Sequence, residues 1–174
     1  MQVMIPLAGK DRFFDPEEYG FPKPLIEVRG RPMIHWVVDN LKQIDSQVRF
    51  IFVTSDEQVR QYGIERIFDL VTEGNFSYKS ISNQTEGALC TCLMAIDELA
   101  LDEPLIISNG DQIIEGELQA AVGRFKSEQV AAGVITFPSV HPRWSYVGLD
   151  ESGEVIETAE KRVISRHARA AIYN

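Results

Sequence analysis

Four short, nearly unbroken apolar runs constrain this chain more than any other feature. They occupy residues 2–8, 48–54, 104–108 and 130–137. Each has strand length and stays apolar on successive residues, the pattern of a strand covered on both faces. Helical rhythm fills the intervals. After Pro32, which suits a first helical turn, Met33, Ile34, Val37, Val38 and Leu41 trace one apolar face. Ser55 is placed to cap a helix through Glu57, Val59 and Arg60; Gly63 interrupts it, and residues 64–70 form another piece. Thr85 is the expected cap of a helix that buries Leu89, Leu93, Ile96 and Leu99. Glu115 and Glu117 are expected in the first turn of a further helix and Lys126 in its last, with Leu118, Val122 and Phe125 facing inward. Strand alternating with helix predicts an α/β fold, Rossmann-like, with a mainly parallel sheet flanked by helices.

Shorter strands are expected at residues 25–28, closed by an Arg29-Gly30 turn, and at 78–81 on a sheet edge. Beyond Trp144 the pattern becomes strand and turn (144–149, a Ser152-Gly153 turn, 155–159, 168–173), so the C-terminal part is β-rich. The 174 residues are expected to form a single domain, 1–174, long enough for a sizeable core. A net charge of -9 argues against a nucleic-acid partner. Neither a signal peptide nor a membrane-length apolar stretch is evident, so a cytoplasmic chain without a membrane partner is expected. Cys90 and Cys92 stand two apart on a helix and point to different faces. They suit small core or near-core positions rather than a disulfide or metal pair.

Against this acidic background the loop after the first strand is unusual. Residues 9–24 form a long connection with Pro16, Gly20, Pro22 and Pro24, and it holds the cations Lys10, Arg12 and Lys23. Gly9 lets the backbone turn sharply beside a bound group, and neighbouring cations suit a nucleotide's phosphates. An ordinary turn with solvated charges is the other reading. Asp111 follows the third apolar run in Asn109-Gly110-Asp111. Ligands of open α/β sheets lie beyond the carboxyl ends of the strands, so Gly9 and Asp111 meet at one crevice if their strands are neighbours. Asp111 could then ligate Mg²⁺ or merely cap a turn. Trp144 and Tyr146 could stack on a sugar or pack internally. His35 belongs near a polar helix edge, and His141 and His167 lack a ligand-spaced partner.

Six stretches are similar to the motifs of one family: Leu7-Ala8-Gly9 leading to Arg12-Phe13, then Phe21-Pro22-Lys23-Pro24-Leu25, Gly30-Arg31-Pro32-Met33-Ile34, Gln84-Thr85-Glu86-Gly87, Asn109-Gly110-Asp111 and Glu160-Lys161. Together they resemble the sugar nucleotidyltransferase (NTP-transferase) family across nearly the whole chain. The resemblance implies a nucleotide-diphospho-sugar transferase type of fold and Mg²⁺-dependent chemistry. A sugar 1-phosphate oxygen attacks the α-phosphorus of a nucleoside triphosphate, giving a nucleotide sugar and pyrophosphate for polysaccharide or glycoconjugate synthesis. By the same resemblance Leu7, Ala8 and Gly9 approach the nucleotide, Arg12 holds its β- and γ-phosphates, and Lys23 neutralises its α-phosphate. Gln84 and Gly87 meet the base, Asp111 ligates Mg²⁺, Lys161 receives the sugar phosphate and Glu160 the sugar hydroxyls. Self-association into a homo-oligomer is left open.

Three departures separate the chain from the family pattern. Lys10-Asp11 replaces the second glycine of the loop, placing a carboxylate near a triphosphate. A second metal carboxylate and the segment completing the sugar side are expected to lie past Asn174, so the domain is expected to lack the family's C-terminal segment. Two alternatives follow: a non-catalytic domain that binds a nucleotide or nucleotide sugar, and a glycosyltransferase using Asn109-Gly110-Asp111 as its metal motif. The Pro-Lys-Pro-Leu stretch argues against the latter, because its lysine suits a triphosphate better than a diphosphate sugar.

Overall fold

The computed structural model describes residues 1–9 and 16–173. Strand β1 (Gln2–Pro6) is followed by a short helix α1 (Pro16–Tyr19) and a 3-10 turn at Lys23–Leu25. A small hairpin then pairs β2 (Glu27–Val28) with β3 (Arg31–Pro32). The strand expected at 25–28 survives only in its last two residues, because the turn begun at Pro22 occupies the rest. Arg29 (φ 51) and Gly30 (φ 80) are both left-handed, as a tight two-residue hairpin requires. Next come α2 (Met33–Leu41), β4 (Arg49–Ser55), α3 (Asp56–Tyr62), α4 (Ile64–Thr72) and β5 (Phe76–Ile81). Gly63, at φ 56, makes the break between α3 and α4. Helix α5 (Ala88–Leu93), β6 (Leu105–Ser108) and α6 (Leu118–Ser127) follow, and then β7 (Gly133–Pro138), β8 (Tyr146–Leu149), β9 (Val155–Ala159) and β10 (His167–Tyr173).

Apart from the β2-β3 hairpin, these strands build one sheet in the order β5-β4-β1-β6-β10-β8-β9, with β7 also paired to β10. β5, β4, β1 and β6 are parallel, and the C-terminal strands join antiparallel. The α/β expectation and the β-rich end are both realised, with β5 at the predicted edge. One buried cluster fills the sheet face under α2, α4 and α6, including Val3, Ile5, Val38, Phe52, Phe68 and Val122. Phe52 and Phe68 stack with ring centroids 3.9 Å apart. Burying side chains of this size contributes about 2–3 kcal/mol each. A smaller cluster on the other face gathers Met4, Ile51, Val53, Ile81, Cys92 and Ala95.

Helix α5 departs from expectation. Gly87 is its N-cap rather than Thr85, and the helix ends after six residues, before a 3-10 turn at Ile96–Glu98. That change of geometry rotates the inward stripe. Thr91, Cys92 and Ala95 are buried, whereas Leu89 (68%), Leu93 (55%) and Ile96 (54%) are exposed; Leu99 alone of the predicted stripe packs against the core. Cys90 is exposed, against the expectation of a near-core place. Burial pushes the Cys92 thiol up to about 11. Helix α6 begins at Leu118, so Glu117 is its cap and Glu115 lies in the preceding loop. Among the described residues no helix is long and apolar enough to cross a membrane.

Candidate active site

Because β1 and β6 pair in parallel, their carboxyl ends lie side by side. The loops leaving them, through Leu7-Ala8-Gly9 and Asn109-Gly110-Asp111, border a cavity of about 1040 Å³. Gly110 permits the close approach of these loops. A Cβ added there would fall 2.2 Å from Leu7 Cδ2 and 3.2 Å from Ile5 Cγ2. Asn109 Nδ2 donates to Gln112 Oε1 at 3.0 Å and so closes the turn around Asp111.

Lys23 reaches the same cavity from the 3-10 turn. Pro22 at its N-cap and the buried Pro24 restrict that turn, and Leu25 N donates to Pro22 O at 2.8 Å. Lys23 Nζ lies 2.5 Å from Asp111 Oδ2, with the side chains 24% and 38% exposed. At such exposure water and salt limit the pair's worth to about 1 kcal/mol or less, so its importance is where it places the two charges.

Glu160 and Lys161 line the cavity from the bend after β9. Lys161 Nζ is 3.5 Å from Glu160 Oε1, and the side chains are 61% and 77% exposed. Lys161 holds a left-handed backbone (φ 52), uncommon for a residue other than glycine. Gln84 lines the cavity beside Asn83 and Glu86, while Gly87 stands apart from the lining as the cap of α5. The Thr85 and Thr91 hydroxyls lie 2.6 Å apart, and each approaches the Gly87 carbonyl at 3.2 Å, which ties this loop to the helix. Leu7, Ala8, Gly9, Lys23, Gln84, Asp111, Glu160 and Lys161 are therefore brought to one cavity. Arg12, with Lys10 and Asp11, lies outside the described residues.

The family model described as nucleotidyl transferase matches residues 16–173. The chain belongs to the nucleotidyl transferase family. Bifunctional protein GlmU of Methanocaldococcus jannaschii is 26% identical over 161 residues, which are 92% of this chain and 36% of that protein. The chain thus spans little more than a third of that relative. Three solved structures are similar, each over 99% of this chain. One, from Bacillus anthracis, is assigned as a glucose-1-phosphate thymidylyltransferase in complex with sucrose (TM-score 0.78, 22% identity, 70% of that chain). Another is a nucleoside-diphosphate-sugar pyrophosphorylase from Vibrio cholerae RC9 (0.78, 19%, 72%). The third is a UDP-glucose pyrophosphorylase complexed with UDP-glucose (0.76, 17%, 74%). At these identities the likeness shows a shared fold.

In this member of the nucleotidyl transferase family, α3 forms a wall of the cavity that the sequence motifs do not announce. Ser55, Asp56, Gln58, Arg60, Gln61 and Tyr62 are among the lining residues. Ser55 caps α3 as expected, accepting from Gln58 N at 3.1 Å. Tyr62 meets Phe21 with ring centroids 6.0 Å apart, joining α3 to the segment before Lys23. The signal that could have found this wall was position alone, since α3 starts at the carboxyl end of β4. Of the two aromatics considered for sugar stacking, Tyr146 is buried and donates its hydroxyl to His141 O at 2.8 Å. Trp144 packs edge-on to Phe137 at 5.1 Å. Neither lines this cavity. His35 is half-buried and accepts from Arg31 Nε at 3.3 Å.

Proposed function

We propose that the chain transfers a nucleotidyl group from a nucleoside triphosphate to a sugar 1-phosphate, releasing pyrophosphate and a nucleotide sugar. The observation that supports this reading most is the Lys23–Asp111 pair, set on the cavity wall beside the ends of β1 and β6. An ammonium and a carboxylate at one point can divide the work of phosphoryl chemistry, one facing phosphate oxygens and the other a cation. The carboxylate suits Mg²⁺, which takes one or two carboxylates together with substrate phosphates, and Asp111 already meets a cationic group at hydrogen-bonding distance. Mg²⁺ bound there would supply charge neutralisation for the triphosphate.

The roles are those the family resemblance implies. The backbone of Leu7, Ala8 and Gly9 lies against the nucleotide, with Gln84 on the base side, where Gly87 caps the adjoining helix. Lys23 turns from Asp111 to the α-phosphate as negative charge builds on it. The phosphate oxygen of the sugar bonds to the α-phosphorus while the bond to the β-phosphate oxygen breaks, and pyrophosphate leaves. Lys161 holds the sugar phosphate, Glu160 accepts from sugar hydroxyls, and Arg12 meets the outer phosphates. No general base is required, because the attacking oxygen is already anionic. A panel of nucleoside triphosphates and sugar 1-phosphates, assayed for pyrophosphate with Mg²⁺, should contain one productive pair. Silence across the panel counts against turnover.

A second reading is favoured by Asp56, Glu57 and Glu86, carboxylates on the same wall that repel a phosphate tail. It is a domain that binds a nucleotide or nucleotide sugar without turning it over. Thermal stabilisation by such a ligand, with no pyrophosphate formed, would select it.

A further inference from the structure

Helix α2 is bonded to the segments that carry both charged partners of the cavity, without lining it. At its N-terminal end Met33 N donates to Ile26 O at 2.9 Å, and Ile26 N donates to Lys23 O at 3.2 Å. The turn that presents Lys23 is therefore fastened to the start of α2. Near the other end Asn40, only 7% exposed, faces the loop that follows Asp111. Its Nδ2 donates to Ile114 O at 2.9 Å, and its Oδ1 accepts from Ile114 N at 2.8 Å. One side-chain amide thus satisfies both backbone groups of a residue three positions beyond Asp111. Met33 and Asn40 stand seven residues apart on a rigid helix, a span of about 10 Å.

We propose that Asn40 is a positioning residue for Asp111. By clamping Ile114 it fixes the Asp111 loop to the same helix that holds the Lys23 turn, so the two charges keep their separation when a metal–nucleotide complex enters. The proposal rests on the transferase reading above, in which Asp111 binds the metal and Lys23 the phosphate. An amide suits the task because it both donates and accepts, whereas a leucine does neither and a carboxylate cannot donate. A role in stability alone would lower the melting temperature and leave metal-dependent binding unchanged.

The readout is the ratio of nucleoside triphosphate affinity with Mg²⁺ to that with a chelator, measured by calorimetry on the full chain. Asn40→Leu is compared with wild type and with Val38→Ala, which removes buried volume from the core-facing side of α2 and leaves the clamp intact. Melting temperatures are recorded for each. Asn40→Leu should lose about tenfold of the metal-dependent gain, the low end of what loss of a support around a metal ligand costs, and keep its metal-free affinity. Val38→Ala should melt earlier and keep the gain. Asn40→Asp, of nearly the same size, is measured in parallel and should lose the gain too. It provides the reading if Asn40→Leu does not fold. A wild-type gain preserved in the Asn40 variants, or lost equally in Val38→Ala, overturns the proposal. Absence of any gain in wild type sinks the transferase reading and the proposal with it, and is seen before any variant is made.

Discussion

The two ends of the cavity are built differently. At the inner end Lys23 and Asp111 meet at 2.5 Å, 24% and 38% exposed, on a proline-restricted turn and just past the end of a central strand. At the outer end Glu160 and Lys161 are neighbours in sequence, 3.5 Å apart and mostly in solvent, on a bend that follows a strand near the sheet's edge. The inner charges are placed before any ligand arrives, because the core and α2 hold their backbones. The outer charges are mostly in solvent, so water competes for them until a ligand arrives. Preorganised charge acts on the chemical step, whereas charge ordered by a ligand acts mainly on binding.

That contrast can be broken by substitution. Asp111→Asn should have the largest effect, lowering pyrophosphate release by about a thousandfold and abolishing its Mg²⁺ dependence. Lys23→Met should lower release by about a hundredfold, mostly in kcat. It should also tighten binding of Mn²⁺ alone, measured by titration without nucleotide, because no ammonium then competes for Asp111. Lys161→Asn, a residue tolerated in the left-handed conformation, should raise KM for the sugar phosphate about tenfold through loss of one charge-assisted bond and leave nucleotide affinity unchanged. Glu160→Gln should be mildest, about threefold in the same KM, since an exposed acceptor is largely replaced by water. If Lys161→Asn lowers kcat as steeply as Lys23→Met, the two ends are not distinct in kind.

The parallel part of the sheet was readable in advance because β1, β4 and β6 are apolar on successive residues; the fourth run has the same pattern but forms β7, half-buried and antiparallel to β10. The convergence of Gly9 with Asp111 was expected only if their strands were neighbours, and the parallel pairing of β1 with β6 meets that condition. Helix α5 was misread because an apparent spacing from Leu89 to Leu99 assumed one continuous helix. The chain stops that helix at Leu93 and turns at Ile96, so the stripe does not exist in space. The α3 wall was missed for another reason: its Asp56, Arg60 and Gln61 look like any solvated helical face, and only the topology puts them beside a cavity. The clamp of Asn40 on Ile114 spans 74 positions and leaves no trace in local pattern.

The absent side chain at position 110 has a consequence for variation. Even a methyl group there would press on Leu7 at 2.2 Å, and Leu7 in turn faces the cavity. A side chain at this position would have to displace Leu7 Cδ2, the tip of a side chain that lines the cavity. Substrate preference in such a chain should therefore evolve, or be redesigned, through α3 and the rim, with the glycine kept as it is.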